Sequence, residues 1–237
     1  MLWIILPTYN EKENIVDLID KIFSLSLPDL HILVIDDNSP DGTAKAIISL
    51  INKYPVELIS RPGKMGLGSA YILGFQKALA QGAKYIMEMD ADFSHNPQDI
   101  PRLLAAVQAG ADLAIGSRRV AGGGIVGWNW WRRFMSRGAT EFSRVLLGLK
   151  TKDVTAGFRC YNADFLKTLP LAEVKSNGYS FQEELVFLVE KIGGQIKEVP
   201  VIFVDRTKGK SKLSYKEIIK FFWIIFLLRQ KYAKYKH

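Results

Sequence analysis

The sequence predicts an α/β protein built on a mostly parallel sheet, and three observations predict it. Apolar runs as short as buried strands (Leu2 to Leu6, His31 to Ile35, Val56 to Ser60, Ala83 to Met89, Leu113 to Gly116) alternate with segments whose apolar residues recur at helical spacing. That alternation implies right-handed crossovers and strands covered on both faces. Carboxylates cluster just after several of these runs, where open α/β sheets collect their ligands. Finally, 237 residues with 48% hydrophobic content can bury a full core, enough for one large domain.

The first strand, Leu2 to Leu6, ends at Pro7-Thr8-Tyr9-Asn10-Glu11. Ile15, Leu18, Ile19 and Ile22 then mark a helix, with Asn10 as the expected cap and Glu11 and Glu13 in the first turn. The strand His31 to Ile35 ends in Asp36-Asp37-Asn38-Ser39-Pro40-Asp41-Gly42-Thr43, before an Ala/Ile-rich helix to about Lys53. After Val56 to Ser60, the loop Arg61 to Gly68 opens a helix from about Ser69 to Ala80. Ala83 to Met89 then leads into Asp90-Ala91-Asp92-Phe93-Ser94-His95. Pro97-Gln98-Asp99 starts a helix with Ile100, Leu103, Leu104 and Val107 on one face, followed by the strand Leu113 to Gly116.

From Arg118 the character changes. A loop containing Gly122-Gly123-Gly124 precedes a helix from Trp128 to Leu147, whose tryptophans and arginines suggest a position at an apolar/polar boundary; a half-buried helix with solvated arginines is the plainer alternative. Lys152 to Cys160 reads as a loop leading to a short strand, Phe181 to Ile192 as an amphipathic helix, Gln195 to Val204 as one strand, and Arg206 to Lys212 as a basic loop. Ile218 to Leu228 is apolar but too short for the roughly 20 residues that span a bilayer. With Arg229, Lys231, Lys234 and Lys236 behind it, it reads as an interfacial helix facing anionic headgroups, or else as a core helix or oligomer contact. The expected organisation is a catalytic domain over 1–212, divided into a nucleotide-binding part (1–117) and an acceptor part (118–212), then an interfacial helix and basic tail over 213–237.

Composition narrows the chemistry. Cys160 is the single cysteine, so no internal disulfide forms and a reducing compartment such as cytoplasm is expected; Met1 runs straight into a strand, without the pattern of a signal peptide. A net charge of +8 and a pI near 9.4 admit nucleic acid, anionic membrane or phosphorylated substrates. The charge is concentrated in Arg118 to Arg144 and Arg206 to Lys236, which favours the latter two, and no nucleic-acid partner is expected. Three histidines at unrelated spacing build no zinc site. The first turn lacks Gly-x-Gly-x-x-Gly, Gly63 to Gly68 lacks the Gly-Lys-Ser/Thr of a Walker loop, and no Gly-x-Ser-x-Gly surrounds a serine. What remains is oxygen-ligand metal chemistry. Asp90 and Asp92, one residue apart in extended backbone, point to one side and can reach a single Mg²⁺ or Mn²⁺ on a nucleotide diphosphate. Alone, Asp-x-Asp is equally consistent with a polar loop capping a helix.

Together, Pro7 to Glu11, Asp36 to Thr43, Gly66-Leu67-Gly68, Asp90 to His95 and Gly116-Ser117-Arg118 resemble the family 2 glycosyltransferases of GT-A fold, a Rossmann-like sheet flanked by helices. Ser136-Arg137-Gly138, Asp153 to Arg159, Gly178 to Glu184 and Val204 to Lys212 are similar to the blocks of the dolichol-phosphate (polyprenol monophospho-) mannose synthases, in their short form without a multispan membrane domain. The resemblance implies that GDP-mannose is the donor and a polyprenyl or dolichyl monophosphate the acceptor, at the cytoplasmic face of a membrane. UDP-glucose or UDP-N-acetylglucosamine is the alternative donor. It further implies that Pro7, Tyr9, Glu11, Ile35 and Asp37 hold the guanosine, and that Asp90, Ala91 and Asp92 hold the metal and diphosphate. Arg118, Arg206 and Lys212 would hold phosphates or mannose, Asp92, Arg118 and Arg206 being the catalytic set. Arg118, Arg132 and Ser136 would hold the acceptor phosphate. Ser94 stands where some relatives offer Gln to the metal, and Glu183 and Glu184 are candidates for orienting sugar hydroxyls or for capping.

Overall fold

β1 (Leu2–Thr8) lies between two parallel neighbours, β2 (Leu30–Asp36) and β4 (Tyr85–Glu88), and β2 carries β3 (Val56–Ser60) on its far side. The computed structural model describes residues 1–174, 176, 178–205 and 224–232, with the backbone alone at Tyr179. Arg206 and Lys212 lie outside the described residues, as do 206–223 and 233–237 of the C-terminal segment.

The connecting helices are α1 (Lys12–Phe23), α2 (Thr43–Ile51), α3 (Leu67–Ala80) and α4 (Ile100–Gln108). After them come β5 (Leu113–Ser117), β6 (Gly124–Val126), α5 (Trp130–Leu147), β7 (Arg159–Asn162), α6 (Ala163–Leu166), α7 (Tyr179–Lys191), β8 (Ile196–Pro200) and β9 (Ile202–Val204), and residues 224–231 form a further helix, α8. The main sheet has seven strands in the order β3-β2-β1-β4-β7-β5-β8. All neighbours are parallel except β7, which is antiparallel to both β4 and β5.

Strand periodicity explains the layers. Along β1, Leu2, Ile4 and Leu6 face a core shared with α1, α2 and α4, while Trp3 and Ile5 face one shared with α3 and α7. α3 lies close on β1 because position 74 is glycine; a Cβ there would stand 2.6 Å from Ile5 Cγ2, so Gly74→Ala would force an overpacked core.

Local differences from the sequence expectation have physical causes. Asn10 does not cap α1, since its own backbone is left-handed (φ 61°). The β2–α2 loop takes over: Asn10 N–H donates to Ser39 Oγ, Glu11 N–H to Thr43 Oγ1 and Lys12 N–H to Asp41. Instead of one strand over 195–204 there are two. β8 stays in the main sheet, and after Val201 the chain leaves it to pair β9 with β6 in a two-stranded ribbon. The glycine loop makes that possible, because a Cβ at Gly123 would sit 2.4 Å from the Ser117 carbonyl at the end of β5. α5 begins at Trp130, with the Asn129 side chain accepting from Arg132 N–H at 2.8 Å, and ends at Gly148 in the left-handed region.

Ile225 and Leu228 of α8 and Tyr232 just after it are buried in the α3–α7 core, while Phe226 and Leu227 stay half exposed. Lys231 and Tyr232 donate to Glu184 at 2.7 and 2.5 Å, and Arg229 reaches the Leu146 carbonyl at the end of α5. Among the described residues, the segment read as interfacial thus has one face in the core. Among them, too, no helix is long and apolar enough to cross a membrane.

Candidate active site

Past the C-terminal ends of β1, β4 and β5 lies a cavity of about 340 Å³, roofed by the β6–β9 ribbon and the start of α5. Its floor is the chain leaving β4. Met89 still bonds Ile5, and then the backbone turns: Asp90 N–H donates to His95 Nδ1 at 3.1 Å, and Ser94 N–H donates to Asp92 Oδ1 at 3.0 Å. Phe93, between them, is held in the left-handed region (φ 62°), an unfavourable conformation for an aromatic residue and one that functional loops tolerate. Asp90, Asp92 and the nearly buried Ala91 between them all line the cavity.

His95 is the support of this turn. It stacks on Phe158 at 5.0 Å and is 5% exposed. Burial pushes its pKa down to about 4, against the opposing pull of Asp92, so the ring is neutral at physiological pH. With Nδ1 accepting from the Asp90 amide, the proton is assigned to Nε2, which lies 3.9 Å from Asp90 Oδ2.

A cationic wall faces the carboxylates. Arg118 follows β5 and is held by Asp153 through its backbone N–H (2.8 Å), Nε (2.8 Å) and Nη2 (2.6 Å), with a further bond from Nη2 to Thr155 at 2.9 Å. Burial alone would raise the Asp153 carboxyl; the Arg118 charge and donors hold it below the usual carboxylate range. Asp153 in turn accepts nothing from solvent, being fully buried beside Glu198, which takes the Asp153 and Lys152 amides. Arg132 comes from the first turns of α5, bonds Asp205 at 2.7 Å and lies 4.1 Å above the Trp128 ring.

The third wall is α7. Gln182 Nε2 donates to Glu88 Oε2 at 2.7 Å, and Tyr161 donates to Glu88 Oε1 at 3.0 Å. Burial pushes Glu88 up to about 7, with the Arg159 charge and both hydrogen bonds pulling the other way. Arg159, fully buried, donates to the carbonyls of Val154, Ala156 and Gln182, so one guanidinium ties the 151–158 loop to α7. Gly157 leaves an opening where Asp90, His95 and Gln182 converge; a Cβ there would lie 3.7 to 3.9 Å from all of them. Ser94 and Gln182 line the cavity, and among the described residues the buried oxygens Ser94 Oγ and Gln182 Oε1 have no hydrogen-bond partner. Buried polar atoms of that kind await a ligand or water.

Of the residues expected from sequence, Pro7, Glu11, Asp90, Ala91, Asp92, Arg118 and Arg132 line this one cavity. Ser136 does not; its hydroxyl accepts from Arg119 Nη2 at 3.0 Å on the outer side of α5. Ile35 is fully buried in the sheet core, so only its main chain is placed to meet a ligand. Tyr9 and Asp37 stand at the adjoining ends of β1 and β2: the Lys64 ammonium lies 3.5 Å over the Tyr9 ring, and Asp37 is paired with Arg61, which also reaches Ser69 and Gly66 at the start of α3. Glu183 and Glu184 are both buried away from the cavity, Glu184 bound to Ser176 N–H, Lys231 and Tyr232. Core positions, with Glu184 tying α7 to Ser176, Lys231 and Tyr232, take the place of the sugar contacts considered for them, and neither caps the helix. Sequence reasoning gave no role in the site to Asp153, Gln182, Trp128, Phe203 and Asp205. Their signal was weak, since each works through a partner more than 20 residues away or through its place in the roof.

Among the described residues no three His, Cys, Asp or Glu side chains converge as a metal cage. Two carboxylates with a polar opening beside them nevertheless fit Mg²⁺ or Mn²⁺, hard cations that take one or two protein carboxylates and complete their shell with phosphate oxygens and water.

Residues 3–169 match the family Glycosyl transferase family 2. The chain is 44% identical over 213 residues to a polyprenol monophosphomannose synthase of Mycolicibacterium smegmatis, covering 89% of this chain and 80% of that protein. It is also 44% identical over 211 residues to an undecaprenyl-phosphate mannosyltransferase of Micrococcus luteus, covering 89% and 86%. Among solved structures, mannosyl-3-phosphoglycerate synthase from Rubrobacter xylanophilus superposes with a TM-score of 0.69 at 18% identity, covering 99% of this chain and 74% of that one. Glucosyl-3-phosphoglycerate synthase from Mycobacterium tuberculosis, in complex with Mn²⁺, UDP and glucosyl-3-phosphoglycerate, does so with 0.68 at 18%, covering 98% and 79%. These likenesses establish the GT-A fold, and the match over most of its length makes the chain a member of glycosyl transferase family 2.

Proposed function

We propose that this protein is an inverting mannosyltransferase that moves mannose from GDP-mannose to a polyprenyl monophosphate at the cytoplasmic face of a membrane. The observation that carries the reading is the opposition, within one cavity of about 340 Å³, of the Asp90/Asp92 carboxylates to the Arg118 and Arg132 guanidiniums. The similarity to relatives named as polyprenyl-phosphate mannosyltransferases supports the choice of sugar and acceptor.

The residues divide the work by charge. Pro7 and Glu11, with Tyr9 and Asp37 beyond them, receive the nucleoside, and Asp90 and Asp92 face its diphosphate. A Mg²⁺ or Mn²⁺ held by Asp90 and Asp92 would neutralise charge on the departing diphosphate. Arg118 and Arg132 bring the acceptor phosphate towards C1 of the sugar and offset its repulsion from the donor. Arg118 is pre-oriented by Asp153, so little side-chain freedom is lost on binding. The acceptor phosphate is an anion at neutral pH, and its oxygen forms the new bond to C1 as the bond to the GDP oxygen breaks and that oxygen keeps the electron pair. No general base is required, and displacement from the opposite side gives β-mannosyl phosphate. Gln182 Oε1 and Ser94 Oγ are placed to meet sugar hydroxyls or water. Arg206 and Lys212 are assigned to phosphate or mannose by resemblance alone.

The test is release of nucleoside diphosphate with a short polyprenyl phosphate and GDP-mannose, against UDP-glucose and UDP-N-acetylglucosamine. Acceptor-dependent release of GDP only from GDP-mannose is expected; turnover with a UDP-sugar alone would overturn the donor, and none with any donor would overturn the reaction.

A further inference from the structure

A second cavity, of about 390 Å³, lies on the outer side of α5 and is lined by Arg118, Arg119, Arg133 and Arg137 with Ile125 and Phe134. Among the described residues no carboxylate lines it. Arg118, the fourth arginine of the lining, is paired with Asp153, whereas among the described residues Arg119, Arg133 and Arg137 make no ion pair with an Asp or Glu. Arg133 is fixed by neutral acceptors, the carbonyls of Trp128 (3.1 Å) and Ile125 (2.8 Å), which orient the guanidinium without cancelling its charge. Arg137 follows one turn later on the same face of the helix. Arg119 gives Nη2 to Ser136 but keeps a buried Nε that has no partner among the described residues. Three like charges around one cavity, one with an unsatisfied buried donor, form a site for an anion rather than a stable resting arrangement.

The surroundings identify the anion's carrier. On the same turns of α5, Trp130 (74%), Phe134 (64%), Trp131 (55%) and Met135 (44%) are exposed, a large apolar outlay beside the arginines. Aromatics flanked by arginines on one helix suit the boundary between headgroups and acyl chains, not a nucleic-acid backbone. The ligand is not the reacting phosphate, because Asp90 and Asp92 do not line this cavity and the one shared residue, Arg118, is turned onto Asp153.

We propose that Arg119, Arg133 and Arg137 form a headgroup site for the phosphate of an anionic membrane phospholipid, seating the first turns of α5 on the bilayer beside the reaction cavity. The proposal rests on the reading of the protein as an enzyme of lipid phosphates, but its test does not depend on turnover.

Full-length protein would be co-sedimented with phosphatidylcholine vesicles with and without phosphatidylglycerol. Arg133→Gln/Arg137→Gln, two exposed positions, is expected to weaken binding to the phosphatidylglycerol vesicles about tenfold or more, in line with the effect of two basic residues at such a surface, and to leave binding to neutral vesicles unchanged. A charge-matched control, Lys45→Gln/Lys84→Gln, exposed and elsewhere on the surface, should bind nearly as the unaltered protein. Equal weakening by the control, or wild-type binding by the arginine variant, would overturn the site. A third readout separates sources of phosphate: with a short polyprenyl phosphate in detergent free of phospholipid, the acceptor KM of the arginine variant should be unchanged, and a marked rise would hand the cavity to the acceptor and overturn the headgroup assignment.

Discussion

Gln182 and Glu88 meet at 2.7 Å across the floor of the cavity, joining α7 to the strand that delivers Asp90 and Asp92. Each needs the other: Glu88 is fully buried, and the bond fixes the Gln182 amide beside the cavity that Gln182 lines. Gln182→Ala should therefore cost about 1–3 kcal/mol of stability, as a buried acceptor loses its donor, and lower kcat/KM for the donor as well. Thermal melting and donor kinetics measured on the same preparation check both; an unchanged melting temperature would refute the structural half.

Asp92→Asn keeps an oxygen for the Ser94 amide but removes the charge. We expect the fold to be retained and turnover to fall by about 10²-fold or more with either Mg²⁺ or Mn²⁺, the scale at which loss of one electrostatic stabiliser acts. Circular dichroism with steady-state rates across both metals is the measurement, and near-normal rates would remove Asp92 from the diphosphate site.

The Arg118–Asp153 pair has a structural and a chemical role that substitution can separate. Arg118→Met leaves Asp153 buried without its counter-charge and should cost about 3–5 kcal/mol. Adding Asp153→Leu should recover most of that stability and none of the activity. Recovery of activity in the double variant would show that Arg118 only shields Asp153.

Glu183 makes stability depend on pH. Both its carboxyl oxygens are buried and, among the described residues, make no hydrogen bond of good geometry, the Ser143 hydroxyl donating to the Ala139 carbonyl; burial pushes the Glu183 pKa up to about 8, with Ser143 and the Arg159 charge pulling the other way. The neutral form is favoured in the folded state, so its contribution is full below the ordinary glutamate value near 4.5 and is lost as pH rises towards 8. The loss should be on the order of a few kcal/mol at about 1.4 kcal/mol per unit. Glu88, raised to about 7, acts in the same direction. Glu183→Gln should flatten the fall in denaturant midpoint between about pH 5 and 8, the window between the unfolded and folded titrations; an identical slope in the variant would refute the assignment.

The sequence was most legible where structure is local. β1 to β4, their helices and the Asp90-Ala91-Asp92 loop followed from apolar runs and from the polar residues that end them. It was least legible where partners are far apart. Asp153 gave no sign that it would hold Arg118, 35 positions away, and Ser136 was grouped with Arg118 and Arg132 although it bonds Arg119. The antiparallel β7 between β4 and β5 left no periodic mark, being four residues long. For Gln182, Glu183 and Glu184 the pattern misled: the segment reads as amphipathic, whereas α7 is buried on nearly every side, so the polar residues of its first turns lie in the interior and need partners there.

β7 divides the molecule into two half-sheets. On one side of it stand β3, β2, β1 and β4 with the carboxylates; on the other, β5 and β8 with Arg118. The two lips of the cavity are thus held in register by a four-residue seam whose Arg159 also fastens α7 and the 151–158 loop. At the middle of that seam is Cys160, fully buried, its thiol pushed far above the usual value and hence inert while the strand is in place. It is a natural clock: the rate at which a thiol reagent labels native protein reports how often the halves part, and inactivation should keep pace with labelling.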